Sequence, residues 1–142
     1  MKRQEKFIVR GTLLLAVVLF AWAVFYIANI KGVFGYPWEA APVFWRVYDV
    51  GGATLFLISA VLLPFKRGTG RWFALPALAA AAIVHGFAII ASPSAPELAG
   101  RTLGIAGSAA AVAIAVIGIV FLFGVAPRYE RRRFKSFYDD SR

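Results

Sequence analysis

Four stretches of about twenty residues, each almost free of charge, limit what this chain can fold into. They run from about Gly11 to Ile30, Val47 to Phe65, Trp72 to Ala91 and Thr102 to Val125, and Asp49 is the only acid or strong base inside any of them. A helix of about 20 apolar residues crosses the hydrocarbon core of a bilayer. Helices and closed barrels satisfy their own backbone hydrogen bonds there. A chain of 142 residues that is 61% hydrophobic has no soluble alternative, because small domains bury a smaller share of their surface. The expected fold is all-α: a single membrane domain over residues 1–142, an integral membrane four-helix transmembrane bundle. Residues 1–10 and 126–142 form basic tails, and little chain is left for a soluble catalytic domain.

The first stretch also has features of a cleaved export signal. Basic residues precede it, and Ala21-Trp22-Ala23 loosely resembles a small-residue cleavage site. Its apolar run continues through Val24, Phe25, Tyr26, Ile27 and Ala28, where a signal peptide would turn polar. The stretch is therefore expected to stay as a span.

The sixteen basic residues outnumber seven acidic ones, but their distribution does not suggest nucleic acid. Thirteen fall before span one, between spans two and three, or after span four, while the other two connections carry only Lys31, Arg46 and Arg101. Lys/Arg-rich flanks stay on the cytoplasmic side. Both termini are thus expected in the cytoplasm, and the membrane is expected to be a bacterial-type inner membrane. The tail residues Arg128, Arg131, Arg132, Arg133 and Lys135 are interleaved with aromatics. They suit a positive-inside anchor, anionic lipid on the cytoplasmic side, or an acidic partner subunit. No nucleic-acid-binding module surrounds the run.

Prolines punctuate the ends of the spans. Pro37, Pro42, Pro93 and Pro96 lie in the outer connections, Pro64 and Pro127 close spans two and four, and Pro76 opens span three. The spans are expected to be continuous, unlike the interrupted helices of many transporters. The first outer connection concentrates aromatics: Phe34, Tyr36, Trp38, Phe44, Trp45 and Tyr48. Trp and Tyr favour the membrane boundary, so this loop reads as an interfacial cap or as a partner surface carried by Tyr36, Trp38 and Trp45. Arg46 and Asp49 are three residues apart and share a helix face, which suits a structural ion pair.

Span four repeats small residues. Gly100, Gly104 and Ser108 recur at spacing four, as do Gly107, Ala111 and Ala115. Such faces let membrane helices approach closely. A tight hairpin of spans three and four is expected, with a second small face left for another helix or another subunit.

His85 is the only histidine. It lies about 9 Å from the outer end of span three at helical rise. Trp22, Tyr26, Thr54 and Ser108 fall at similar levels on the other spans, so a polar intramembrane cluster is expected. The helix neighbours of His85 at three and four residues are Ala81, Ala82, Ala88 and Ile89, so its partner must come from elsewhere. A ring bonded to a hydroxyl is the structural reading. Haem ligation, a quinone or lipid-headgroup site with Tyr26 and Trp22, and a proton relay are the functional ones. Absence of cysteine removes disulfides, thiolate metal sites, iron–sulfur clusters and covalent haem attachment. A metal site lacks further ligands, and a Ser-His-acid arrangement would have only Asp49 as its acid.

The sequence thus points to a non-catalytic accessory or assembly subunit of a larger membrane complex, associated with lipids and with other membrane subunits or copies of itself. A small oligomeric transporter or lipid-handling protein is the alternative. A quinone- or haem-binding redox subunit is the third reading. No cofactor and no catalytic residue is expected.

Overall fold

The computed structural model describes residues 3–33, 39, 41–91 and 104–127, which are helical apart from their short connections. Four helices follow one another: α1 Arg3–Ile30, α2 Val43–Phe65, α3 Arg67–Ala91 and α4 Gly104–Ile119, the last prolonged by a π-helical turn at Val120–Val125. All four are long and apolar enough to cross a membrane. The 28, 23 and 25 residues of α1, α2 and α3 correspond to about 35–42 Å at 1.5 Å per residue, against a hydrocarbon core of about 30 Å. The helices are therefore long enough to span that core with length left over for tilt or for polar flanks. The apolar stretches of the sequence underestimate them, because hydropathy marks lipid whereas backbone hydrogen bonding continues into polar flanks. α1 begins at Arg3 rather than Gly11, α2 at Val43 rather than Val47, and α3 at Arg67 rather than Trp72.

Side-chain contacts fix an up-down-up-down order. Tyr26, late in α1, meets Tyr48, early in α2. Ser108, early in α4, meets His85, late in α3. Phe7 in the first turns of α1 packs edge-on against Phe121 at the end of α4. One end of the bundle, here the near end, therefore holds the start of α1, the α2–α3 turn and the end of α4. The opposite, far end holds the end of α1, the start of α2, the end of α3 and the start of α4.

The core interleaves large and small residues drawn from all four helices, Leu78 of α3 among the large ones. Leu19, Tyr26, Phe56 and Leu63 are fully or almost fully buried beside Ala74, Ala77, Ala81 and Ala115. Outward-facing positions are just as apolar, with Leu14 67%, Ile83 71% and Ile90 80% exposed. In water such a surface would aggregate; in lipid it is the contact surface. Buried hydroxyls close onto their own helix, Thr12 to the carbonyl of Ile8 at 2.8 Å and Ser59 to that of Leu55 at 2.6 Å. This local closure keeps a polar group satisfied where water is absent.

The α2–α3 turn is tight. A Cβ on Gly70 would stand 2.8 Å from the backbone nitrogen of Leu63, so glycine alone permits this approach. Pro64 lies inside α2, and Pro76 lies inside α3 as its tenth residue rather than in its first turns. The helix nevertheless runs unbroken past Pro76. The lost N–H leaves the carbonyl of Trp72 without its usual intrahelical donor. Phe44, Trp45 and Tyr48 stand on the first turns of α2, not in the preceding connection, because α2 starts after Pro42.

Candidate functional site

Two polar contacts and a band of aromatic rings fill the far half of the bundle. α1 contributes Trp22 and Tyr26, one turn apart. α2 contributes Tyr48, Asp49 and Phe56, α3 contributes His85, and α4 contributes Ser108. The Tyr26 and Tyr48 hydroxyls are 2.6 Å apart, and the rings meet edge to face at 5.3 Å. Tyr26 also stacks on Phe56 at 5.8 Å, and Phe56 in turn stacks on Trp22 at 5.0 Å. The Trp22 ring lies 6.1 Å from His85. The rings thus connect the tyrosine pair to the histidine across three helices.

His85 is buried to 5% exposure, and its Nδ1 lies 3.4 Å from Ser108 Oγ, a long hydrogen bond. A neutral imidazole has one donor and one acceptor nitrogen. If the serine hydroxyl donates to Nδ1, Nε2 carries the proton; if Nδ1–H donates, Nε2 presents a lone pair. In either tautomer Nε2 is shielded from solvent and finds no hydrogen-bond partner among the described residues. Ser108 sits at 1% exposure, so the contact is a closed one between α3 and α4.

Asp49 is buried at 5% exposure and lies within electrostatic reach of both tyrosine hydroxyls. Arg46 shares its face of α2 at three residues' spacing and is half-buried; neither residue lacks a partner. Among the described residues no three of His, Cys, Asp and Glu gather as metal ligands would.

Of the five residues expected in the polar cluster, four stand together: Trp22, Tyr26, His85 and Ser108. Thr54 does not join them. It is exposed, and its hydroxyl donates to the carbonyl of Val50 at 2.8 Å. The buried face of α2 runs through Asp49, Ala53, Phe56, Ala60 and Leu63, and Thr54 is about 100° away from Ala53 around the helix. Tyr48 and Phe56 take its place. For Phe56 the signal in the sequence is Asp49: a face that buries a carboxylate also buries the positions four and seven residues on, Ala53 and Phe56.

The small residues of α4 divide in the same way. Ser108, Ala115 and Gly118 are buried, while Gly107 and Ala111 are only partly covered. Gly118 makes the close approach, since a Cβ there would meet Leu78 at 3.2 Å and Leu15 at 3.4 Å. Gly104 has another role: its φ of 76° starts the helix from the left-handed region, and nothing lies within 4 Å of where its Cβ would be. Of the aromatic connection, Trp45 is half-buried and packs edge-on against Phe44 and Tyr48. Tyr36, Trp38, Gly100 and the tail residues Arg128, Arg131, Arg132, Arg133 and Lys135 lie outside the described residues. No family model, curated protein or solved structure matches the chain.

Proposed function

We propose that this chain is a non-catalytic subunit of a larger membrane complex, with both termini and the α2–α3 turn on the cytoplasmic side. One observation carries the reading. α4 turns a second set of small side chains away from its own bundle: Ala106, Ala109, Ala110 and Ala113 are all exposed, on the side opposite Ser108, Ala115 and Gly118. Lipid gains little from this alanine-lined stretch, which precedes the exposed Val116, Ile117 and Val120 on the same side. A second helix gains close van der Waals contact along it, and that contact drives association between membrane helices. The closed character of the far-half cluster agrees with this reading, since the buried His85, Ser108, Tyr26 and Asp49 build a rigid platform rather than an open path.

Orientation in this proposal follows charge. Lys6, Arg10, Lys66, Arg67 and Arg71 occupy the near end, against Glu5 alone among the described acids there. At the far end Lys31 and Arg46 are balanced by Glu39 and Asp49. An excess of Lys and Arg is retained inside.

Gentle detergent extraction from native membranes, followed by native mass measurement, tests the reading. Recovery of this chain with different membrane subunits is the expected result. A homo-oligomer carrying lipid would instead favour the small oligomeric transporter or lipid-handling reading. That second reading is favoured by one feature, the unpartnered Nε2 of His85 inside the bundle. An absorbance band in the haem Soret region, or a co-purified quinone, would move the assignment to a redox subunit.

A further inference from the structure

Among the described residues, the near end of the bundle carries a knot of cations that outnumbers its one acid, Glu5. Lys66, Arg67 and Arg71 sit within six residues where α2 turns into α3, and the tight passage at Gly70 holds them on one turn of chain. Lys66 is exposed, and Arg67 and Arg71 are half-buried. Three features of this arrangement are unfavourable for an isolated protein. Arg67 and Arg71 are four residues apart on a helix, where like charges repel. All three cations crowd the N-terminal end of α3, where the helix dipole disfavours positive charge, and no acid lies in its first turn. The Nε of Arg71 is shielded from solvent without a hydrogen-bond partner among the described residues. The guanidinium is also held in place, 6.0 Å above the Phe123 ring, which Trp72 braces edge-on at 5.6 Å.

One anion at this turn relieves the like-charge repulsion and the clash with the helix dipole. We propose that Lys66, Arg67 and Arg71 form a seat for the phosphate of an anionic phospholipid, with its acyl chains lying along the apolar surface beside the turn. The apolar surroundings argue for lipid rather than free phosphate. Phe65 is 84% and Trp72 62% exposed, directly flanking the cations. Tryptophan at such a level favours the glycerol and headgroup zone, and basic residues there attract anionic lipid. The proposal rests on the chain being embedded in a bilayer. It is independent of any partner subunit, so it can fail or hold separately from the subunit assignment.

The full chain, purified in mild detergent, is titrated with phosphatidylglycerol, phosphatidylcholine or inorganic phosphate and followed by native mass spectrometry. The wild-type chain is expected to retain phosphatidylglycerol in preference to phosphatidylcholine, and millimolar inorganic phosphate is not expected to displace it. Combining Lys66→Gln, Arg67→Gln and Arg71→Gln should weaken retention by roughly a hundredfold, taking about fivefold per basic residue. Lys31→Gln at the far end should leave it unchanged. If the triple variant does not fold, Lys66→Gln and Arg67→Gln singly, each weakening retention by about fivefold, carry the same test. Equal retention of the two lipids, displacement by phosphate, or unaltered binding by the variants overturns the proposal.

Discussion

The hydroxyl of Tyr26 lies 2.6 Å from the hydroxyl of Tyr48, joining the last turns of α1 to the first turns of α2. Tyr26 is 2% exposed, so its hydroxyl has no recourse to water. The pair therefore fixes the crossing of the first two helices at the far end of the bundle.

Replacing Tyr48 takes from the buried Tyr26 hydroxyl the acceptor to which it donates. Tyr48→Phe is expected to destabilise the bundle by about 1–3 kcal/mol through the stranded Tyr26 hydroxyl. The double variant with Tyr26→Phe should cost less than the sum of the two singles, since both partners are then apolar. Thermal unfolding in detergent across the four proteins measures the coupling, and strictly additive losses would show that the hydroxyls do not interact.

His85 gives the opposite expectation. His85→Leu removes a ring whose Nε2 has no partner among the described residues and fills the space with an apolar side chain. Ser108 can fall back on the carbonyl of Gly104, four residues earlier on its helix. The unfolding midpoint should move by no more than the equivalent of about 1 kcal/mol, with an unchanged size-exclusion profile. Aggregation of this variant would show that the His85–Ser108 contact is essential to folding. Intact assembly with loss of a cellular phenotype would show instead that Nε2 serves a ligand.

Glycines at two places in α3 should respond in opposite directions. Nothing lies within 4 Å of a Cβ at Gly86, whereas one at Gly70 would strike the backbone of Leu63 at 2.8 Å. Gly86→Ala is expected to stabilise by about 0.5–1 kcal/mol through reduced backbone freedom. Gly70→Ala should destabilise by about 1–3 kcal/mol because the helices at the α2–α3 turn must separate. Paired unfolding curves check both signs.

On α4 the outward alanines offer a test of partnership. Ala110 is exposed, so Ala110→Leu meets no resistance within the chain. The variant should fold with an unchanged unfolding midpoint yet lose the partner subunits that co-purify with the wild type. Retention of those subunits would place the contact on another face.

Much of this architecture is legible in the amino-acid order, and the reasons for the remainder are physical. Four charge-poor stretches are enough to mark the spans, because lipid imposes one simple requirement on each residue. They are not enough to mark helix ends: Val43–Arg46 is helical although Arg46 interrupts the apolar run, and Arg67–Arg71 is helical although its polarity resembles that of a connection. Depth along each helix was readable, and it brings Trp22, Tyr26, His85 and Ser108 to one level. Rotation about the helix axis was not. Thr54 has the right depth but faces outward, while Phe56 has an unremarkable side chain and the right angle. A membrane helix that is apolar all round gives little sign of which face is buried, and α4 shows this most clearly. Its packing face runs through Ser108, Ala115 and Gly118, a selection that small-residue spacing alone does not distinguish from Gly107 and Ala111.

Four crossings with the basic end inside are the central claim, and the chain's lack of cysteine makes a clean test available. Lys31→Cys and Lys66→Cys each introduce a single thiol, at opposite ends of the bundle. An impermeant maleimide added to intact cells should label the thiol at position 31 at once, and that at position 66 only after the membrane is permeabilised. Labelling of position 66 from outside, or equal labelling of both positions in intact cells, would contradict it.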